Sequence, residues 1–442
     1  MTDSAAHPID TLIDARWVIP VEPAGTVLAD HSVAIDCGRI VAILPTETAR
    51  LRFAPRAYHR LTDHALLPGL VNLHTHAAMT LLRGYADDLP LMEWLKGHIW
   101  PAEARHISPD FVRDGARLAC AEMLRGGVTC FNDMYFFPEA VAEAALDAGM
   151  RAAIGLIVLD TPTAYAGDAD DYLNKGFALR DRLRDEALLS FTLAPHAPYT
   201  VGNATFEKIA TFASQLDLPI HIHLHETQDE IEHSLAHYQQ RPLARLHHLG
   251  LTGPGLIAVH GIHLNAEEQA LLAAQGCHVA HCPASNLKLA SGFAPIANLL
   301  QHDVNVGIGS DGAASNNKLD LFAEMRLAAL LTKGVSGDAA ALPAHTALQM
   351  ATLNGARALG LDDAIGSLLP GKQADMIAVD LSGLETQPCF DPISTLVYAA
   401  GREQVSHVWV NGALRLDNHQ LTTLDARELR LTAAVWHTRI SQ

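Results

Sequence analysis

Four short segments of this sequence each bring an apolar run to a stop on groups able to bind a metal or move a proton. In Pro68–His76, PGLVNLHTH, side chains alternate along a strand, so His74 and His76 project to one side and can converge on one ion. In isolation, two polar residues at a strand end would look the same. In His221–Glu226, HIHLHE, three alternating histidines share a face, and at most one or two of them reach the depth of a metal. The others line the interior or form hydrogen bonds. Val259–His263 again ends an apolar run, in His260, and Gly309–Asn317, GSDGAASNN, delivers Asp311 into a loop of small residues. Asp before Gly is by itself a common turn. Taken together, three neutral imidazoles (His74, His76, His223) and one carboxylate (Asp311) form an N/O set suited to zinc or iron(II), with water completing the site.

The elements that must position these groups alternate between short apolar runs and longer amphipathic ones. Strands are expected at Leu66–His74, Val128–Met134, Ala152–Leu159, Leu189–Ala194, Pro219–Leu224, Leu256–His260, His278–His281 and Val304–Gly309. Between them Phe206, Ile209, Ala210, Ala213 and Leu216 fall at helix spacing, Ser108-Pro109 offers a helix start and Gly126-Gly127 a stop. Eight such strands predict an α/β fold, a (β/α)8 TIM-type barrel rather than an open doubly wound sheet. Four of the eight end in His or Asp/Glu at their C-terminal ends, the catalytic end of such barrels. Both flanks are β-rich, with short runs at 26–28, 32–35, 39–44, 376–379 and 407–410 and the turn Asn411-Gly412. They predict a small β-sandwich domain of residues 1–67 plus 369–442 around a catalytic barrel of residues 68–368.

Composition narrows the partners. Of 442 residues, 49% are hydrophobic and 18% charged, the balance of a globular chain. Lys+Arg number 31 against 49 Asp+Glu, a formal −18, so phosphate backbones and anionic membranes are repelled and a neutral or cationic small molecule is favoured. No signal peptide or spanning helix is visible, and the six cysteines form no C-x-x-C pair, so a soluble, cytoplasmic protein with reduced thiols is expected. Nothing in the sequence shows an interface; a homo-oligomer stays open.

The combination of PGLVNLHTH, the H-x-x-E of His223–Glu226, His260, SDGAASNN and GSLLPGKQAD at Gly366–Asp375 resembles the amidohydrolase superfamily over about residues 10–416. Within it, HAAMTLLRGYADDLPLMEWL, APHAPYT, NLKLASGFAPI and SDGAASNNKLDLFAEMRLAALL are similar to the 5'-methylthioadenosine/S-adenosylhomocysteine deaminases. This resemblance implies one divalent metal per chain, zinc first and iron second, held by His74, His76, His223 and Asp311. It implies Glu226 as proton shuttle to the ring nitrogen, with Asp311 near the water and His260 orienting it. It also implies His196 against the purine and Glu93 on the ribose 2'- and 3'-hydroxyls, with Glu226 and Asp311 also touching substrate. The family's mononuclear members need no bridging lysine, and the fourth strand here ends in Pro195-His196. The activity implied is hydrolytic deamination of an adenine nucleoside. The alternatives are an aminohydrolase or chlorohydrolase acting on a guanine- or s-triazine-type ring, and a non-catalytic relative, which would have lost ligands. Relatives that take S-adenosylhomocysteine place arginines on and after the third strand. Here Leu156 stands at one such position and 161–171 carries Asp168, Asp170 and Asp171 but no Arg or Lys. The 5'-methylthio nucleoside is therefore the expected preference, with S-adenosylhomocysteine and adenosine poorer, unless Lys175, Arg180 or a neighbouring subunit supplies a cation.

Overall fold

The computed structural model describes residues 6–442. Eight parallel strands follow one another in chain order: Leu70–Thr75, Val128–Met134, Arg151–Val158, Leu189–Pro195, Ile220–Leu224, Leu256–His260, His278–His281 and Asn305–Ile308. Each is hydrogen-bonded to the next. The first and last meet across the remaining gap, where the Asp311 N–H donates to the His74 carbonyl (3.0 Å) and the Ser310 N–H to Asn72 Oδ1 (2.9 Å). This is the expected (β/α)8 barrel. The first three strands are buried along their whole length, as parallel strands covered by helices on one side and packed side chains on the other must be.

Helix starts and stops follow local chemistry. Pro109–Arg125 begins where Ser108 Oγ accepts the Phe111 N–H (3.2 Å) and ends at Gly126, and it buries Phe111, Val112, Ala116, Ala119 and Met123 on one face. The chain's last helix, Ala426–Ile440, lies on this one. Trp436 meets Phe111 edge-on at 5.2 Å and its Nε1 donates to Asp114 Oδ2 (2.9 Å). The final part of the segment expected in the small domain thus packs on the barrel.

A second, mixed sheet takes strands from both chain ends in the order 420–421, 413–417, 405–410, 376–380, 53–68, 7–18, 28–36 and 39–45. The ends join where Met376–Asp380 pairs antiparallel with Phe53–Pro68. Here the expected first barrel strand needs correction: Leu66–Pro68 belongs to this second sheet, and the barrel strand starts only at Leu70. Gly69 makes the break, because a Cβ there would fall 2.1 Å from Thr129 Oγ1. The Gly366–Asp375 motif is the joint between sheet and barrel. Arg151, first residue of the third strand, donates from Nε to Asp375 Oδ2 (2.9 Å), and both side chains are buried. That joint lies at the barrel end opposite the histidines. Among the described residues no helix is long and apolar enough to cross a membrane.

Candidate active site

His74 and His76 stand at the end of the first strand, His223 near the end of the fifth and Asp311 just after the eighth. One ligand atom from each of the four lies within 4.8 Å of all the others. Backbone carbonyls fix the tautomers: His76 Nδ1 donates to Met134 O (2.6 Å) and His223 Nδ1 to His196 O (2.7 Å). Each ring therefore presents a bare Nε2 lone pair, and the two lone pairs face each other at 3.3 Å. Two acceptors held that close repel unless a cation lies between them. The spacing matches the edge, roughly 3.3 Å, of a tetrahedron with metal–nitrogen bonds of about 2.0–2.1 Å. His74 Nε2 is buried and makes no hydrogen bond, although Asp311 Oδ1 is 3.2 Å away, and His76 Nε2 lies 3.3 Å from the same oxygen. Burial lowers His74 to about 4 and His223 well below its ordinary value, so the rings are neutral, as ligands must be. The four groups fit one metal ion.

The other two histidines of HIHLHE do different work. His221 Nε2 is paired with His74 Nδ1 (2.8 Å), and His225 turns away, its Nε2 accepting the Leu243 N–H (3.0 Å). Strand eight reaches this cluster only because Gly309 has no side chain; a Cβ would meet His74 Cβ at 2.9 Å. Asp311 is held by donors the sequence reading missed. Its Oδ2 accepts from Ser285 Oγ (2.6 Å) and Ser315 Oγ (2.8 Å), and its Oδ1 from the Gly312 N–H (2.8 Å). Asn286, beside Ser285, accepts from His260 Nδ1 (2.8 Å), which aims His260 Nε2 at Glu226 Oε1, 3.8 Å away. One short helix, Pro283–Lys288, thus orients both groups. Burial raises the Glu226 carboxyl above its usual range. His196 is lowered to about 3 by burial, and its Nδ1 lies 3.0 Å from Thr200 Oγ1.

A cavity of about 660 Å³ opens above these groups, and His196, Glu226, His260 and Asp311 all line it. Its outer walls are largely apolar, and among the described residues neither lysine nor arginine lines it. Glu93 is not brought in. On the helix Leu91–Trp94 the side chains of Leu91, Trp94 and Leu95 face the cavity, while Glu93 falls on the exposed side. The carboxylate that does line this wall is Glu103, which accepts from the Tyr135 hydroxyl (2.7 Å) and is raised to about 7 by burial.

Around the third strand the structure departs from expectation at Leu156 and at the three aspartates. Leu156 packs against Gly176 on the neighbouring helix, and its strand neighbour Ile157 is the one facing the cavity. Asp168 is a helix cap, accepting the Asp171 N–H (2.9 Å), whereas Asp170 pairs with Lys208 (2.6 Å) and Asp171 with Lys175 (2.9 Å). None of the three lines the cavity, and Arg180 is paired with Asp181 (3.2 Å). What survives is the absence of a cation.

The amidohydrolase family model matches residues 65–415. A 5-methylthioadenosine/S-adenosylhomocysteine deaminase of Teredinibacter turnerae is 51% identical over 432 residues, covering 98% of each chain. The crystal structure of an adenosine deaminase from Xanthomonas campestris with bound zinc has a TM-score of 0.98 at 53% identity, over 99% of both chains. A zinc complex of atrazine chlorohydrolase from Arthrobacter aurescens reaches 0.90 at 26% identity, over 97% of this chain and 100% of that one. With the barrel, the ligand set and the sequence in agreement along nearly the whole length, the chain belongs to the amidohydrolase family.

Proposed function

We propose that this chain is a zinc-dependent deaminase of adenine nucleosides, converting 5'-methylthioadenosine and water to 5'-methylthioinosine and ammonia. The observation that carries the reading is the pair of facing Nε2 lone pairs of His76 and His223, joined by His74 and Asp311, at the floor of a cavity that also holds Glu226 and His260. The relatives' names, deaminases of 5-methylthioadenosine, S-adenosylhomocysteine and adenosine, support the substrate class.

Zinc bound to the four ligands supplies the Lewis acidity that makes water a nucleophile near neutral pH. Asp311, with Oδ2 held by two serine hydroxyls, accepts the proton of the attacking water. His260, its Nδ1 on Asn286, orients that water from the other side. As the C6–O bond forms, Glu226 delivers a proton to N1, so the tetrahedral centre carries no full charge on the ring. A carboxyl raised by burial suits this donor. The proton taken up by Asp311 then passes to the amine, the C6–N bond breaks as the C6 hydroxyl returns a proton to Glu226, and ammonia leaves. His196 contacts the purine. Glu93, exposed in this structure, is the carboxylate that the family resemblance assigns to the ribose hydroxyls.

Ammonia release from 5'-methylthioadenosine, S-adenosylhomocysteine and adenosine, with a chlorinated triazine and guanine as controls and metal analysis of the same preparation, tests the reading. Turnover of the controls alone, or of the nucleosides with no metal bound, overturns it.

A further inference from the structure

Strand alternation should have put Glu226 in the wrong place. Along Ile220–Leu224 the rings of His221 and His223 point into the barrel and Ile222 and Leu224 point away. One more step of the same pleat would send His225 inward and Glu226 out. Instead the backbone turns left-handed at His225, φ +57°, where residues with side chains are uncommon. The His225 ring swings outward and Glu226 enters the cavity.

This turn leaves two consecutive N–H groups aimed at one place, and the Glu230 carboxylate accepts both: Oε1 from the His225 N–H and Oε2 from the Glu226 N–H, each 2.9 Å. Glu230 is 4% exposed, and among the described residues no cation pairs with it; the nearby Arg241 is committed to Glu268 (2.7 and 2.8 Å). Ordinary helix capping does not account for the arrangement. Glu230 is the third residue of a helix capped by Thr227, and in a capping box that carboxylate takes the N–H of the capping residue itself. Glu268 does so for Asn265 in this same chain (2.9 Å). Glu230 reaches past Thr227 to the two residues before it.

We infer that Glu230 is a positioning residue for the deamination: its two oxygens hold the left-handed turn that aims Glu226 at the substrate. The inference rests on the reading of Glu226 as the proton carrier. An amide offers one acceptor where this carboxylate offers two, so Glu230→Gln releases one of the two N–H groups while preserving volume. The test compares Glu230→Gln, Glu226→Gln and the double variant on 5'-methylthioadenosine, measuring kcat, KM and bound metal. Glu230→Gln should lower kcat about 100-fold, with KM changed less than about threefold and metal content unaltered. The double variant should be no slower than Glu226→Gln alone, because a clamp that acts only through Glu226 has nothing left to position. Wild-type kcat in Glu230→Gln, or a double variant whose loss is the product of the single losses, overturns the inference. If Glu230→Gln is not recovered folded, Glu230→Asp, which keeps both carboxyl oxygens and shortens the reach, is held to the same comparison. Wild-type turnover in Glu226→Gln removes the underlying reading instead, a result distinguishable from a crippled Glu226→Gln beside a normal Glu230→Gln.

Discussion

The cavity wall should set a substrate preference that one substitution moves. S-adenosylhomocysteine differs from 5'-methylthioadenosine by a zwitterionic tail, and among the described residues no lysine or arginine lines the cavity. A buried polar group left without its partner costs about 1–3 kcal/mol, so an unpaired tail carboxylate should lower kcat/KM by roughly 5- to 150-fold relative to the methylthio compound. Leu159, 8% exposed and just past the third strand, lines the cavity. Leu159→Arg should raise the ratio of kcat/KM for S-adenosylhomocysteine over 5'-methylthioadenosine by about the same factor. Both terms move it, because the new guanidinium meets the carboxylate and the methylthio group loses apolar contact. Parallel ammonia-release assays on the two nucleosides measure the ratio. Equal efficiencies in the wild type would mean that the tail lies in water, and an unchanged ratio in Leu159→Arg would place the tail elsewhere; either refutes the reasoning. Adenosine should also be slower, by about 1–3 kcal/mol, since it puts a hydroxyl in an apolar pocket.

Stripping the metal with a chelator should abolish turnover and lower the melting temperature, because the lone pairs of His76 and His223 then face each other at 3.3 Å uncompensated. One equivalent of zinc should restore both, and His223→Ala should bind less than one ion per chain. Acid should destabilise the second sheet. Burial lowers His407 to about 4 and holds His59 and His64 below their ordinary value, while Asp417 opposes the shift at His59 and His407, and Asp380 and Asp63 oppose it at His64. The unfolded chain therefore binds more protons below about pH 6.5, and this stability, full above that pH, is lost as pH falls toward 4. His407→Gln should flatten that part of the melting-temperature profile, and an unchanged slope would assign the acid sensitivity elsewhere. Glu93→Gln should raise KM for the nucleoside about tenfold or more, the loss of a hydrogen bond to a charged group, and Glu103→Gln less. The reverse order would move the ribose contact to Glu103.

Pattern and spacing carried the sequence reading wherever a period was visible. Alternation put His74 and His76 on one side of a strand, and the Ser108-Pro109 start and the Gly126 stop bound the helix Pro109–Arg125 as expected. The period fails where a strand is buried on both faces: Arg151–Val158 is apolar at nearly every position, so nothing in the sequence says that Ile157 and not Leu156 faces the cavity. It also fails at left-handed residues. His225, His260 and Asp311, all at strand ends, have φ of +57°, +71° and +59°; at His225 this re-aims the next side chain, Glu226, against the alternation, while the other two are followed by glycine. The aspartates at 168–171 looked like a wall of charge although two of their partners are local, the helix N-terminus that Asp168 caps and Lys175 four residues past Asp171; only Lys208, against Asp170, is set by tertiary packing. Glu103 and Tyr135 were invisible for the same reason: they meet only when the segment after the first strand folds back over the second.

The division of labour around the barrel explains how relatives named for such different substrates share this architecture. The groups proposed for the chemistry come from strands one, five, six and eight, and they are braced by Ser285, Asn286, Ser315 and Glu230 from beneath or beside them. The walls that meet the rest of a ligand come from elsewhere: Leu91 to Ile107 after the first strand, Tyr135 after the second, and Leu159 to Ala164 after the third. A change in the walls leaves the metal ligands and their bracing untouched. The atrazine chlorohydrolase at 26% identity and a TM-score of 0.90 shares the fold and holds zinc while its name gives a different activity. Ring and tail selectivity should therefore follow substitutions in these three wall segments, while turnover of any accepted ring stays tied to Glu226, His260 and the residues that hold them.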